Sequence, residues 1–283
     1  MSKSDPMCVT YTKPFGHNDW VQIHQTECVV NCHDPDFVSK IQMVYRFEQQ
    51  QPMMFEIYDV DTKNIACLSD HDFLGRATCT LGQIVSSSTK PFSLSLVDRD
   101  GRDSGKSGKI ILHAEEVIES KNEIVLQFSG VGLLKRKFFF RKRNPFLIVS
   151  KYVESDYVAT YQTEVIRDTY DPNWKKFSVP ISSFCNGDED RTIKIVCSDW
   201  RSDGNHVFLG EFHTTLGELR ETWESGGKRG FVLTKPKKTK KSNRKCGRIF
   251  LDYYEKRPIY TFLDYINGGT QIHCSVAIDF TCE

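Results

Sequence analysis

The stretch MMFEIYDVDTKNIACLSDHDFLG, residues 53–75, begins as one strand and ends as another, with an aspartate-rich loop between them. Its first eight residues alternate apolar and polar side chains and include aromatic and β-branched types, a pattern typical of a half-buried strand. KIILHAEEV from Lys109 and RTIKIVCSDW from Arg191 alternate in the same way. Such strands, with only short helix candidates around residues 81–86 and 216–223, predict antiparallel β-sandwiches with Greek-key connections.

The chain repeats itself, and the end of this stretch is one of the repeated pieces. Matching pieces recur in the same order at a nearly constant spacing. They are Thr26-Glu27, Asp34-Pro35, Phe73-Leu74-Gly75, Thr80-Leu81-Gly82 and Lys109 to Leu112, which recur as Thr163-Glu164, Asp171-Pro172, Phe208-Leu209-Gly210, Thr215-Leu216-Gly217 and Arg248 to Leu251. Ordered matches indicate a duplicated domain, and 283 residues suit two domains.

Composition excludes several classes of protein. The 38 Lys and Arg residues balance 37 Asp and Glu residues, so no global basic excess indicates a nucleic-acid partner. Met1 to Thr10 is polar and no apolar stretch is long enough to span a membrane, which predicts a cytosolic protein. The ten cysteines form no CxxC pair and are expected to be free thiols. His24, Cys28, Cys32 and His33 fit no standard zinc spacing.

The aspartate-rich loop has two interpretations. Asp59 and Asp61 leave one strand, and Asp70 and Asp72 approach the next. Calcium takes about six to eight oxygen ligands, which several carboxylates on one loop can supply. The four aspartates could equally be the polar side chains of a solvated loop, and composition alone leaves both interpretations open. An EF-hand is excluded, because the loop lacks the required Gly at its sixth position and Glu at its twelfth.

Three blocks of the sequence resemble the copine family. SKSDPMCVTY from Ser2, TECVVNCHDP from Thr26 and YDVDTKN with SDHDFLG from Tyr58 resemble the first C2 domain of copines. TYQTEVIRDTYDPNWKKFSVPISSFCNGDEDRTIKIVCSDW from Thr160 resembles the second, and FLDYINGGTQIHCSVAIDFT from Phe262 resembles the start of the copine von Willebrand factor A-like domain. The resemblance implies an all-β protein of two tandem C2 sandwiches, residues 1–118 and 119–256. A short incomplete segment of an α/β A-type domain, residues 257–283, follows them.

The resemblance also implies calcium ligands in the first C2 domain. They fall on Asp5, Asp59, Asp61 and Asp72, with Ser69 as a further oxygen. A fifth family ligand belongs to an earlier strand that would precede Met1. We therefore expect the opening strands to be missing, one sheet edge to be unpaired and calcium affinity to be weakened, as in a truncated or alternatively spliced product or an incomplete gene model.

The second C2 domain departs further from the family pattern. Phe138, Asn144, Arg201 and Val207 stand where the family places carboxylates, and only Asp199 survives. We expect no calcium there, because a fixed positive charge opposes a dication. In the tail, Asp279 and Thr281 match the start of a metal-dependent adhesion motif whose remainder is absent, so no metal site is predicted.

A basic loop with an aromatic centre replaces the missing carboxylates of the second domain. Its predicted membrane-binding residues are Lys135, Arg136, Lys137, Phe138, Phe139, Phe140, Arg141, Lys142 and Arg143. Near an anionic leaflet each basic charge contributes about 1 kcal/mol. The alternative is that one or two of the phenylalanines belong to the core and the charges form a solvated rim. A second basic run from Lys235 is more consistent with a solvated linker.

These features predict a calcium-dependent phospholipid-binding protein that is recruited from the cytoplasm to the plasma membrane or other anionic membranes. The first C2 domain would use a partial calcium site, and the second would bind without calcium. GRDSGKS from Gly101 is too short between its glycines for a P-loop, and no nucleophile-elbow motif occurs, so we expect neither an enzyme nor a small-molecule substrate. The alternative is a non-membrane adaptor that docks proteins, or regulates full-length copines, through the second domain and the tail.

Overall fold

The computed structural model describes residues 3–14, 16–62, 64–87, 91–103, 108–117, 120–133, 142–153, 156–227, 229–235, 244–260 and 268–269. We call residues 3–117 module 1 and residues 120–260 module 2. The predicted basic residues from Lys135 to Arg141, both tail positions Asp279 and Thr281, and most of segment 257–283 lie outside the described residues.

Module 1 consists of two antiparallel sheets. Its elements are β1 (Pro6–Thr12), β2 (Val21–Gln25), β3 (Pro52–Asp59), a 3₁₀ turn (Leu68–Asp70), β4 (Asp72–Thr80), α1 (Leu81–Ser86), β5 (Phe92–Ser95) and β6 (Lys109–Leu112). The first sheet has the order β2-β1-β3-β4, and β5 pairs with β6 in the second. Met53, Phe55 and Ile57 are buried between the sheets, which forms the core of this module.

Module 2 is a larger sandwich. Its elements are β7 (Asn122–Val131), β8 (Pro145–Val153), β9 (Asp156–Gln162), β10 (Phe177–Pro180), α2 (Ile181–Cys185), β11 (Ile193–Asp199), β12 (Val207–Thr214), α3 (Leu216–Glu224), β13 (Phe231–Lys235) and β14 (Arg244–Pro258). The eight strands follow the order β10-β7-β14-β13-β12-β11-β8-β9. Among the described residues, β12 and β13 pair through Glu211 and Thr234 alone, so the strands divide there into two halves, β10-β7-β14-β13 and β12-β11-β8-β9. Fully buried side chains such as Trp174 and Phe128 lie between these halves.

The two modules share one topology. The order β2-β1-β3-β4 corresponds to β9-β8-β11-β12, and β5-β6 corresponds to β13-β14. The described part of module 1 has no strand in the places of β7 and β10. These two strands pair with each other in module 2, so the second sheet of module 1 is two strands wide. The all-β sandwich class is confirmed, as are the two short helices at residues 81–86 and near 216–223.

The repeated sequence pieces form helix caps and close contacts between strands. Thr80 and Thr215 cap the following helices, since their hydroxyls accept the backbone N–H of Gln83 at 3.2 Å and of Glu218 at 3.0 Å. The repeated glycines permit close strand approach: a Cβ at Gly75 would lie 2.9 Å from the Leu96 Cβ. The repeats therefore specify turns and packing, and the functional differences between the modules lie in the loops.

Candidate functional site

Three predicted calcium ligands of module 1 lie at one end of its first sheet. Asp59 is the last residue of β3 and pairs in register with Asp72, the first residue of β4. Asp5 immediately precedes Pro6, which pairs with Asp59 from the other side. The carboxylates therefore start from adjacent positions on three neighbouring strands, and we call this edge loop end 1.

Hydrogen bonds between loops define the shape of loop end 1. The Asp59 Oδ1 accepts the backbone N–H of Asp5 at 2.6 Å, and the Asp5 Oδ1 accepts that of Asn31 at 2.6 Å. Asn31 has φ 54°, a left-handed conformation that asparagine tolerates better than most residues. The backbone N–H of Val60 donates to the Asp5 carbonyl at 3.0 Å. Three separate loops are thus connected through Asp5.

The remaining predicted ligands have their own partners. The Asp61 Oδ2 accepts the backbone N–H of Asp72 at 3.2 Å, and the backbone N–H of Asp61 donates to His71 Nδ1 at 3.3 Å. The Ser69 hydroxyl lies 3.2 Å from Cys67 Sγ and donates to Asp70 Oδ1 at 3.4 Å. The Ser69 hydroxyl therefore contacts side chains of its own 3₁₀ turn and its flanking residue Cys67.

The side chains of loop end 1 are of a type that suits calcium, which prefers hard oxygen ligands, because Asp5, Asp59, Asp61 and Asp72 are all carboxylates. Within the described residues, no three His, Cys, Asp or Glu side chains are close enough together to hold a metal ion. Cys28 also lies here: burial, reinforced by the charges of Asp5 and Asp59, raises the pKa of its thiol. That thiol stays protonated at neutral pH, so it does not add a soft ligand.

Module 2 repeats this hydrogen-bond pattern at the corresponding edge of its sheet, which we call loop end 2. Asn144 takes the place of Asp5, and its backbone N–H donates to Asp199 Oδ1 at 2.8 Å. The Asn144 Oδ1 accepts the backbone N–H of Asp168 at 3.0 Å, and Asp168 has φ 50°, the counterpart of Asn31. Trp200 donates its backbone N–H to the Asn144 carbonyl at 2.8 Å, as Val60 does to Asp5.

The matched positions of loop end 2 have lost most of their negative charge. Asp199 pairs with Val207 across β11 and β12, where module 1 pairs Asp59 with Asp72. Arg201 takes the place of Asp61 and donates its backbone N–H to His206 Nδ1 at 3.2 Å. One carboxylate therefore stands where module 1 has four.

Arg143 is buried, whereas the sequence predicted it to be part of an exposed basic loop. It is only 6% exposed, and its Nη1 lies 2.9 Å from Asp199 Oδ2. The pairing of β8 with β11 brings Pro145 beside Asp199, which places the residue two positions before Pro145 within reach of that carboxylate. Arg143 is thus a structural cation and is not available for a membrane, while Lys142 next to it is exposed.

A cleft of about 340 Å³ opens beside this ion pair. Arg167 stacks on the Trp200 ring with its guanidinium carbon 4.0 Å from the ring centroid, and His206 lies against Trp200 and Phe146. The residues that line the cleft are Lys142, Arg143, Asn144, Asp199, Trp200, Arg201, Ser202 and Asp203. Sequence reasoning placed Asn144, Asp199 and Arg201 here but missed Arg143, although its alignment with Ser4 in the motifs SDP and RNP is visible in the sequence.

The two loop ends contact each other. Lys3 Nζ donates to Asn205 Oδ1 at 2.8 Å, and Asn31 Nδ2 donates to the Ser202 carbonyl at 2.6 Å. Gly204, with φ +69°, lies against the Asn31 carbonyl, where a Cβ could not fit. Both loop ends therefore lie beside each other in the described structure.

A family model for the C2 domain matches residues 1–96 and 124–230. The chain belongs to the C2 domain family. The C2 domain is commonly a phospholipid-binding module, and it commonly binds Ca²⁺. No helix among the described residues is both long and apolar enough to cross a membrane.

Solved C2 structures are similar to this chain. BON1-C2B is 27% identical, covering 49% of this chain and 93% of that one, with a TM-score of 0.44. The calcium-bound pair of C2 domains of Extended-Synaptotagmin 2 is 15% identical over 91% of this chain and 87% of that one, with a TM-score of 0.33. A single C2 domain of plant Extended Synaptotagmin 1 is 19% identical over 50% of this chain and 97% of that one, with a TM-score of 0.32.

Proposed function

We propose that this chain binds anionic phospholipid surfaces through loop ends 1 and 2, with calcium at loop end 1 and without calcium at loop end 2. The role is one of binding and not of catalysis. The resemblance to copines narrows the proposal to a copine-like protein that moves from the cytoplasm to the plasma membrane or another anionic membrane. Membership of the C2 family supports the lipid partner.

The observation that carries the proposal is the difference in charge between two loop ends that share one backbone arrangement. Asp59 and Asp61 of module 1 leave carboxylates at the edge, whereas module 2 has Asp199 and Arg201 there. A calcium ion held by the carboxylates of loop end 1 would reverse their repulsion of an anionic headgroup. Loop end 2 needs no such reversal, because its arginines already offset its carboxylates.

Basic residues at loop end 2 supply its attraction to lipid. Lys142 is exposed and Arg201 is partly exposed at the cleft. The sequence adds Lys135, Arg136, Lys137 and Arg141 with Phe138 to Phe140 between them, all outside the described residues. Each such charge near an anionic surface contributes about 1 kcal/mol, and the contact between the two loop ends supports simultaneous engagement of one surface.

Sedimentation of the full chain with liposomes tests the proposal. On vesicles that contain phosphatidylserine, we expect a calcium-dependent component and a second component that survives chelator but falls steeply with salt. Vesicles of phosphatidylcholine alone serve as the control and should retain little protein. Changing Arg141 and Lys142 to Gln should remove much of the chelator-resistant component.

Failure to bind acidic vesicles at low salt, with or without calcium, would overturn the membrane proposal. Protein docking through module 2 would then be the better account. Equal binding to both types of vesicle would contradict the electrostatic part, because the recognition would not depend on headgroup charge.

A further inference from the structure

Loop end 2 keeps the hydrogen-bond arrangement of loop end 1 but has a carboxylate at only one of the four matched positions. The backbone N–H of Asn144 contacts Asp199 Oδ1 at 2.8 Å, just as that of Asp5 contacts Asp59 Oδ1 at 2.6 Å. Something other than a bound ion must therefore balance the buried Asp199, which is 8% exposed.

The Arg143 guanidinium is in that position. Its Nη1 lies 2.9 Å from Asp199 Oδ2, so Arg143 and the Asn144 backbone together bind both oxygens of the carboxylate. The Arg143 carbonyl also accepts the backbone N–H of Thr169 at 2.9 Å. Arg143 therefore connects the loop before β8, the loop after β9 and the end of β11.

Module 1 has an uncharged residue at the matched position. Ser4 precedes Asp5-Pro6 as Arg143 precedes Asn144-Pro145, and the Ser4 carbonyl accepts the backbone N–H of Cys32 at 2.9 Å in the same way. The backbone contact is common to both modules, and only the side chain differs. The cation is thus an addition to module 2 and not a requirement of the loop.

We propose that the Arg143 guanidinium is a built-in cation, which neutralises Asp199, holds the three loops of loop end 2 together and excludes calcium from it. The comparison rests on the proposed calcium role of loop end 1. The first test measures the unfolding of module 2 and not lipid binding. A failure to bind membranes would therefore not decide whether Arg143 has this role.

The first test is a charge-removal cycle in the full chain. Arg143→Met keeps much of the side-chain volume and leaves Asp199 without its counter-charge, and Arg143→Met/Asp199→Asn removes both charges. Thermal unfolding is followed by tryptophan fluorescence, because three of the four tryptophans, Trp174, Trp200 and Trp223, lie in module 2 and Trp20 alone lies in module 1. We expect Arg143→Met to lower the midpoint by on the order of 10 °C and the double variant to recover at least half of that loss.

Recovery in the double variant identifies Arg143 as a counter-cation, because packing alone would not respond to the charge of Asp199. Equal losses in both variants would overturn the proposal. If Arg143→Met does not fold, a folded double variant supports the proposal and an unfolded one overturns it.

The second test asks whether Arg143 excludes calcium. Asn144→Asp, Arg201→Asp and Val207→Asp together give loop end 2 the carboxylates of loop end 1, in an Asp59→Asn/Asp61→Asn background that silences module 1. One version keeps Arg143 and the other carries Arg143→Ser, the residue at the matched position of module 1. Millimolar calcium should raise the module 2 midpoint by several degrees only with Arg143→Ser. An equal response in the two versions, or none in either, would overturn the proposal.

Discussion

Loop end 1 and loop end 2 differ in charge but not in their backbone connections. Asp5 and Asn144 each receive a backbone N–H on Oδ1 from a residue with positive φ, Asn31 and Asp168 respectively. An aspartate and an asparagine present the same acceptor oxygen, so the hydrogen bond survives the loss of charge. The comparison shows that the shape of these loops and their net charge are specified by separate properties of the same side chains.

A second contrast concerns how each module stabilises its edge residues. In module 2, Arg143 and Arg167 contact Asp199 and Trp200, while module 1 has Ser4 and Val30 in the matched places. Val30 is 52% exposed. Module 2 thus places one cation beside Asp199 and another on the Trp200 ring, whereas module 1 has uncharged side chains at both matched positions.

The largest expected effect comes from neutralising loop end 1. Asp59→Asn/Asp61→Asn should abolish calcium binding by the full chain, because calcium affinity depends strongly on the number of charged ligands. The fold should persist, since an asparagine Oδ1 can still accept the backbone N–H that Asp59 now accepts from Asp5 at 2.6 Å. Titration calorimetry measures the loss.

A matched control for this variant lies in the other module. Asp203→Asn removes an exposed carboxylate from loop end 2 and should leave calcium binding unchanged. If calcium binding persisted in Asp59→Asn/Asp61→Asn, or disappeared in Asp203→Asn, the assignment of the calcium site to module 1 would be wrong.

The repeated pieces and the alternation of apolar and polar residues were enough to predict the all-β sandwich fold, because both are visible in the sequence without knowledge of which strands pair. TLG and FLG recur as helix caps and close strand contacts, which is the reason that they could be matched without a structure. The second sheet of module 1 has two strands among the described residues, and the absence of opening strands stays a prediction. The domain limits, the copine resemblance and the A-type tail stay predictions.

The site was only partly predictable for a physical reason. Asp59 and Asp72 flank one loop, so sequence spacing suggested their proximity, and the register of β3 with β4 places them opposite each other. Arg143 and Asp199 are far apart in sequence and meet only through the pairing of β8 with β11. A run of basic residues gave no sign that its last member is buried.

An intermediate effect is expected from the central amide of loop end 2. Asn144 is 4% exposed, and its Oδ1 accepts the backbone N–H of Asp168 at 3.0 Å. Asn144→Ala leaves that donor without its partner, which should lower the free energy of unfolding of module 2 by about 1–3 kcal/mol. Urea unfolding measures the change, and Asn144→Asp is the control that keeps the acceptor. An unchanged midpoint for Asn144→Ala would show that Asn144 does not connect the loops.

The smallest effect concerns His206, which accepts the backbone N–H of Arg201 on its Nδ1 at 3.2 Å and lies against the Phe146 and Trp200 rings. Burial lowers the pKa of His206 below its usual value, with Lys3 of module 1 also lowering it and Asp203 and Asp199 opposing the shift. The unfolded chain, with a histidine pKa of about 6.5, therefore binds a proton more readily than the folded one. The neutral His206 ring therefore contributes to the stability of the folded state. That contribution is fully present above about pH 6.5 and is lost as the pH falls through the folded pKa of His206.

His206→Asn sharpens the comparison, because an asparagine Oδ1 can take over the acceptor role of Nδ1 without titrating. Urea midpoints of module 2 between pH 7 and pH 5 should fall less in His206→Asn than in the unchanged chain. The difference should be less than about 1 kcal/mol, because the ring is partly exposed and solvent screens it. Parallel pH profiles for the two proteins would rule out His206 as the titrating group. A smaller pH dependence in His206→Asn would instead show that loop end 2 has a weak sensitivity to protons.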